Sequence, residues 1–295
     1  MEGIITKGIG GFYYVAAYDG IIYECRARGL FRLDGVTPLA GDKVRFSVTG
    51  NMTQSGEYPE GFVEEILPRL NAFDRPPCAN VELLVLVTAA KDPAPSFDVI
   101  DRFLVSASSC GADIAICVSK SDLLDDALRG EFEERYKGVY PLLFVSAERE
   151  EGLDELRALV KGRQAALAGA SGVGKSTLTN ALLGEHTSVV GEISGKTARG
   201  KNTTRHTELF AGDGFWLFDT PGFTSFDVID MDEDDLVLHF PEFNPYLGQC
   251  RFTDCTHISE PDCAIRAGVR CGKINKKRYL AFKSMYLELK DKNQF

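Results

Sequence analysis

Along the first 70 residues, short runs of apolar and polar positions recur between turn residues: GFYYVAAY, GIIYECRARG, DKVRFSVTG and GFVEEILP, with Gly and Asp between them. Such runs read as half-buried strands, and several in close succession predict a small β-barrel. The segment RLNAFDRPPCANV, residues 69–81, carries two prolines and no clear period, so it reads as a linker to a new domain beginning near Asn80. There the pattern changes. Apolar runs at 81–89, 113–119, 141–147 and 164–170 alternate with amphipathic stretches such as SFDVIDRFLVSASS and EEGLDELRALVKG. Strand and helix in alternation predict a parallel sheet covered on both faces, with ligands at the carboxyl ends of its strands. After Phe223 the chain turns acidic, FDVIDMDEDDL, as expected of a solvated connector whose carboxylates favour the first turn of a following helix.

The run QAALAGA leads directly into Gly169, Ala170, Ser171, Gly172, Val173, Gly174, Lys175, Ser176 and Thr177, and then into the helical LTNALLGE. This satisfies G-x-x-x-x-G-K-[ST] in its strand, loop, helix setting. The glycines let backbone N–H groups turn inward around a β-phosphate, Lys175 brings positive charge to the β and γ groups, and Ser176 offers its hydroxyl to Mg²⁺. Downstream, Asp219-Thr220-Pro221-Gly222-Phe223 follows the apolar GFWLF. An Asp there suits a water-mediated contact to Mg²⁺, and Gly222 lets a backbone N–H approach the γ-phosphate. Between the two lies GEISGKTARGKNTTRHTELF, residues 191–210, poor in apolar residues. Thr203 and Thr204 are its candidates to complete the Mg²⁺ shell, with Thr204 preferred. Lys175, Thr204, Asp219 and Gly222 are therefore expected to carry the chemistry.

Upstream of the phosphate loop stand Ser119-Lys120-Ser121-Asp122, of the form Asn/Thr-Lys-x-Asp, and Ser146-Ala147 after the next strand. In guanine sites the Asp carboxylate accepts from the N1 and N2 edge, and the Ser-Ala pair lies against O6; both disfavour an adenine nucleotide. The order base, base, phosphate, switch, sensor is that of a circularly permuted GTPase domain. Permutation preserves a site because domain termini often lie close together and can be joined while the chain is opened elsewhere.

The formal net charge of −10 argues against a uniformly basic coat for nucleic acid. The charge is uneven, with nine Lys or Arg against two acids from Ala264 to Phe295. That basic tail would offer Lys276, Lys277 and Arg278 to phosphates, and Phe12, Tyr13 and Tyr14 are candidates for stacking on bases. No apolar run reaches the roughly 20 residues of a membrane helix, and the N-terminus lacks a signal pattern, so a cytoplasmic location is expected. Of eight cysteines, Cys25, Cys78, Cys110 and Cys117 are scattered, whereas Cys250, Cys255, Cys263 and Cys271 are crowded. The spacing Cys250-x4-Cys255-x-His257-x5-Cys263 suits one closed tetrahedral Zn²⁺ site, with Cys271 left spare. His186, His206 and His239 have no Cys neighbours and read as surface or structural residues.

Together with RPPCANVELLVLV, DRFLV, GKNTTRH and QCRFTDCTHISEPDCAI, the permuted order closely resembles the ribosome small subunit-dependent GTPase A (RsgA, YjeQ) family over essentially the whole chain. The resemblance implies an α/β class: a circularly permuted P-loop GTPase domain at 71–228, flanked by an OB-fold at 1–70 and a mostly helical zinc-binding domain with a basic tail at 229–295. It implies GTP hydrolysis to GDP and phosphate, stimulated by the 30S subunit during its late maturation, with 16S rRNA as a partner and one structural Zn²⁺ beside GTP/GDP and Mg²⁺. A monomer without membrane contact is expected. The zinc ligands and Gly169 to Thr177 carry over one by one. Ser119 replaces the usual Asn, whose side chain bridges loops around the site; the shorter Ser predicts weaker nucleotide binding with guanine selection retained. Asn202 stands where many members have His, and Phe223 where many GTPases have the Gln that orients water, which predicts slow intrinsic hydrolysis. The departures at Ser119 and Asn202 prompt an alternative, a nucleotide-gated rRNA-binding scaffold with negligible turnover, which phosphate release with and without subunits would distinguish.

Overall fold

The computed structural model describes residues 1–28, 31, 36–184, 207–219 and 231–293. Strands β1 (Glu2–Ile9), β2 (Phe12–Ala17), β3 (Ile22–Ala27), β4 (Lys43–Met52) and β5 (Pro59–Ile66) close into a barrel in the order β1-β2-β3-β5-β4. Its interior is filled by Ile5, Val15, Cys25, Val44, Phe46 and Val63, contributed from alternate positions of the strands. Strand β1 escaped the sequence reading because Ile4, Ile5 and Gly8 blur its alternation. Gly10 and Gly11 turn β1 into β2 with φ of +61° and +88°, the left-handed pair that a two-residue hairpin loop requires.

The segment expected to be a linker is folded. Short strands β6 (Ala72–Asp74) and β7 (Pro77–Ala79) pair as a hairpin, and Cys78 and Ala79 are fully buried. Ala79 N–H donates to Ala40 O at 2.9 Å and Asn80 Nδ2 to Gly41 O at 3.0 Å, which seats the connection on the barrel. A Cβ on Gly41 would stand 2.1 Å from Ala79 O, so this close approach requires glycine.

Beyond it, β8 (Leu83–Ala89), β9 (Asp113–Ser119), β10 (Leu142–Val145), β11 (Gln164–Ala168), β12 (Leu209–Ala211) and β13 (Trp216–Phe218) form one sheet in the order β10-β9-β8-β11-β13-β12. All pairings are parallel except the edge strand β12, which runs antiparallel to β13. The continuous apolar runs make sense because both faces are covered. Leu84, Leu86 and Ile116 point to a layer containing helices α1 (Phe97–Ser108) and α2 (Asp126–Tyr136). Val85, Val87 and Ala115 point to the other, with α3 (Leu153–Val160) and α4 (Lys175–Leu183).

The remaining described chain is mostly helical, as expected: 3₁₀ turns at Leu236–His239 and Pro241–Tyr246, then, after an irregular stretch at 247–263, α5 (Ala264–Arg270) and α6 (Lys276–Asn293). Phe240, Phe243 and Phe282 form an aromatic core with ring centroids 5.1–5.4 Å apart. The basic tail is not a free arm. Arg278 is completely buried, paired with Asp101 of α1 and with Glu242, both at 2.7 Å, so it is not offered to phosphates. Lys277 is engaged by Glu131 of α2 at 3.0 Å. Lys276 stays exposed. Among the described residues, no helix is long and apolar enough to cross a membrane.

Candidate functional site

Four loops meet at the carboxyl ends of β8, β9, β10 and β11, beside the point where strand order reverses between β8 and β11. The phosphate-type loop leaves β11 at Gly169, whose φ is +138° and where a Cβ would stand 2.1 Å from Val87 O. The loop therefore lies directly on the backbone of β8, an approach only glycine permits. Gly174, at φ +91°, opens α4 and has no side-chain acceptor for the first-turn N–H groups, which suits an anion at that terminus. Lys175 Nζ donates to Gly169 O and Ala170 O, each at 2.7 Å, so its ammonium is held over the loop. Burial pushes its pKa down from the ordinary lysine value. Ser176 and Thr177 are exposed at the start of α4, and Ala170, Ser171 and Gly172 are exposed along the loop, whereas Val173 is buried beneath it. A backbone cradle, a cation and an exposed hydroxyl fit a Mg²⁺-bound polyphosphate.

The base-type loops are joined to this cradle. Ser119, at the end of β9, is buried, and its hydroxyl donates to Val173 O at 2.5 Å. The bridging that a shorter side chain was expected to weaken is made in this structure by Ser itself, because the phosphate-type loop passes close enough to β9. Lys120 adopts φ +52°, and its ammonium donates to Gly172 O at 3.1 Å and to Asp92 O, tying the loops after β8, β9 and β11 together. Ser121 begins a 3₁₀ turn, Ser121–Leu123, that raises Asp122 to a half-buried position. Asp122 Oδ1 accepts from the buried Ser146 hydroxyl at 2.6 Å, which holds the Asp122 carboxyl below its ordinary range. Ser146 is itself fixed by paired backbone bonds with Glu151 at 2.9 and 3.0 Å, and Ala147 follows it half-buried. The two base-type segments thus share one hydrogen bond, although 24 residues separate Asp122 from Ser146.

Asp219 follows β13, and its backbone N–H donates to Glu208 O at 2.7 Å, continuing the β12–β13 ladder. Thr204 and Gly222, with Asn202, Thr203, His206 and Phe223, lie outside the described residues. Of the three candidate stacking aromatics, Phe12, Tyr13 and Tyr14 are all half-buried. Tyr14 is committed within the protein: its hydroxyl donates to Glu24 at 2.9 Å, and burial followed by that bond pushes its pKa up to about 12.

Cys250, Cys255, His257 and Cys263 bring their ligand atoms within 4.8 Å of one another. The Cys250–Cys263 sulfurs are 3.9 Å apart, and His257 Nδ1 lies 3.5 and 3.4 Å from them. A tetrahedron with metal–sulfur bonds of about 2.3 Å and metal–nitrogen bonds of about 2.0–2.1 Å has edges of roughly 3.5–3.8 Å. Three thiols and an imidazole at that spacing fit one tetrahedral cation. Burial first, with the neighbouring Cys250 and Cys263 adding to it, pushes the Cys255 thiol up to about 12, and burial pushes the His257 ring down, a setting in which the thiolates need a cation to balance them. Cys271 is exposed and outside the cluster. His239 is structural, with Nδ1 2.7 Å from the Ser108 hydroxyl.

Sequence reasoning missed Glu260, which organises the knuckle. Its carboxylate accepts from Thr256 N–H, Ile258 N–H and Ser259 N–H at 3.0–3.1 Å and from the Thr256 hydroxyl at 2.5 Å. Burial would raise its pKa, but these donors outweigh it and hold the group at about 2. The turn so fixed carries His257 at φ +65°, and Tyr279 closes it by donating to His257 O at 2.9 Å. A lone Glu in a turn gives no sequence signal for this role.

Comparison with known proteins agrees with this geometry. The family model for the RsgA GTPase matches residues 66–229, and that for the RsgA N-terminal domain matches residues 2–54. A protein of Ruminiclostridium cellulolyticum named small ribosomal subunit biogenesis GTPase RsgA is 40% identical over 99% of this chain and 95% of its own length. One of the same name from Geobacillus thermodenitrificans is 41% identical over 99% of this chain and 98% of its own. Among solved structures, YjeQ from Thermotoga maritima superposes with a TM-score of 0.82 at 33% identity, covering 98% of both chains. YloQ, described as a circularly permuted GTPase, superposes at 0.83 with 31% identity, covering 99% of this chain and 95% of that one. With loops in the permuted order, a cradle built on β11 and relatives spanning nearly its whole length, the chain belongs to the RsgA family of circularly permuted GTPases, enzymes that hydrolyse GTP.

Proposed function

We propose that this GTPase acts in the late maturation of the small ribosomal subunit, binding the 30S particle through 16S rRNA and hydrolysing GTP to GDP and phosphate when docked. The observation that carries the reading is the relatives' shared name over almost the full chain, at 40–41% identity in the two cited. In this reading Gly169 to Thr177 hold the phosphates, Ser119 to Asp122 with Ser146 and Ala147 hold guanine, and Ser176 holds Mg²⁺ with Thr204, Asp219 acting through water. Bound Mg²⁺ neutralises charge on the β and γ oxygens. Lys175 places its cation beside the same groups, and Gly222 presents its N–H to the γ-phosphate. The working division is 1–70 for RNA contact, 71–228 for the nucleotide and 229–295 for the zinc knuckle, in a monomeric cytoplasmic protein.

Phe223 can neither donate nor accept a hydrogen bond, so water must be oriented from elsewhere, and unassisted turnover should be about 10⁻⁴ to 10⁻² per second. Single-turnover phosphate release with saturating small subunits should be much faster than without them, and Thr204→Ala should lose the stimulated rate. Equal rates with and without subunits would overturn the reading.

We assign zinc to the Cys250, Cys255, His257 and Cys263 cluster, because its donors suit zinc's tetrahedral preference. Elemental analysis should return about one zinc per chain, and Cys255→Ser should release it and unfold the knuckle. Full retention of metal by Cys255→Ser would remove the assignment.

A further inference from the structure

Strand β1 carries an irregularity: its pairing with β2 steps from Ile5 opposite Val15 to Lys7 opposite Tyr14, leaving Thr6 as an extra residue. A bulge of this kind re-aims the side chain beside it. Lys7 leaves the barrel, passes over the Tyr14 ring with Nζ 5.1 Å from its centroid, and pairs with Glu208 at 3.0 Å. Neither partner is freely solvated; the side chains are 19% and 26% exposed. Glu208 is the residue whose carbonyl accepts from Asp219 N–H at 2.7 Å. It leads into β12, an edge strand of three residues with few ladder bonds of its own, which also contacts β1. A groove of about 230 Å³ follows the same junction, bordered by Gly8, Gly10, Gly11, Tyr13, Pro77 and Thr207. The barrel therefore grips the strand that fixes the backbone of Asp219.

We propose that Lys7 is a positioning residue for GTP hydrolysis: through Glu208 it sets the register of Asp219, so that movement of the barrel is felt at the γ-phosphate side of the nucleotide site. The inference rests on the reading of Asp219 as the Mg²⁺-side residue. Lys7 touches neither nucleotide nor water. Its effect belongs to the rate of the chemical step, not to the affinity for GDP, which the loops after β9, β10 and β11 supply.

The experiment is single-turnover GTP hydrolysis by the full chain at saturating nucleotide, with GDP affinity measured in parallel. Lys7→Met, which keeps the stem and removes the charge, and the isosteric Glu208→Gln should each slow hydrolysis by about five-fold, the scale of coupling between contacting residues, with GDP affinity unchanged. Lys7→Arg should behave as wild type, and the reversed pair Lys7→Glu with Glu208→Lys should recover most of the rate. Unchanged hydrolysis in Glu208→Gln, no rescue by the reversed pair, or an equal fall in GDP affinity would overturn the proposal. Asp219→Asn separates the two readings. If that variant hydrolyses GTP normally, the placement of Asp219 fails and takes the proposal with it. If it is inactive while the Lys7 and Glu208 variants are normal, only the coupling fails.

Discussion

Replacing Arg278 by Met is expected to destabilise the protein by about 3–5 kcal/mol, the scale of removing one partner from a buried ion pair. The guanidinium has no exposed surface and joins four parts of the fold. Nη1 donates to Asp101 Oδ1 of α1 at 2.7 Å, Nε donates to Glu242 at 2.7 Å, and Tyr136 of α2 donates to the same Asp101 oxygen at 2.7 Å. The Phe240 ring centroid lies 4.6 Å from its central carbon. Burial opposes the charge on Arg278, but Glu242 and Asp101 together hold its pKa above the ordinary value. Met fills similar volume yet leaves the buried Glu242 without its cation and Asp101 with only the more distant Arg135, at 3.7 Å. Burial already pushes Asp101 upward against the pull of Arg278 and Tyr136. An acid whose folded pKa is raised weakens the fold once pH exceeds its unfolded value near 4, so the penalty in the variant should grow from pH 5 to pH 7. Urea denaturation at both values measures it, with the exposed Lys276→Met as a control that stays within about 0.5 kcal/mol of wild type. An unchanged midpoint for Arg278→Met at pH 7 would show that the network contributes nothing.

That site also shows why parts of the molecule were not legible in the sequence. Lys276-Lys277-Arg278 is a basic triplet like any solvated one, and nothing local marks the third member for burial; its partner Asp101 is 177 residues away. The 69–81 segment has no period because its strands are three residues each, and what folds them is contact with Ala40 and Gly41. The positions of the loops after β9, β10 and β11 were legible for the opposite reason: the motifs expected of a phosphate and a guanine site demand particular residues at particular spacing, and their strands carry uninterrupted apolar runs. Strand β9 spans the expected residues, and β8 starts two residues later than its apolar run. Ser119 lies between these cases. Its position in a base motif is readable, but whether a hydroxyl can reach across depends on how closely the loop at Val173 packs, which is a property of the folded chain.

The widest change in behaviour is expected from Asp122→Asn, which should move nucleotide preference from guanine toward xanthine. The Asp122 carboxylate is acceptor-only when ionised, with room for about four hydrogen bonds on its two oxygens. Ser146 takes one of these at 2.6 Å and fixes the plane of the group, and the same bond keeps its pKa low, so the anion persists below the ordinary carboxylate range. The free lone pairs match the two donors, N1–H and N2–H, on guanine's edge. Asn offers one acceptor and one donor group in the same volume. Its amide would meet guanine's N2–H donor with N–H, whereas the carbonyl of xanthine at that position accepts it. Losing one charge-assisted bond and facing another donor should lower the ratio of GTP to XTP affinity by on the order of 10² to 10⁴. Ser146→Ala, which frees the carboxylate to rotate, removes the bond that lowers its pKa and leaves Arg149 N–H without that acceptor, should cost about ten-fold or less in GTP affinity with guanine preference kept. Lys175→Ala is the informative contrast, because its cation serves the phosphates and should weaken GTP and XTP alike. Competition binding with the three variants separates the cases. If Asp122→Asn loses GTP and XTP in equal measure, the loop after β9 does not read the base, and the Ser146 bond is only a structural tie between two turns.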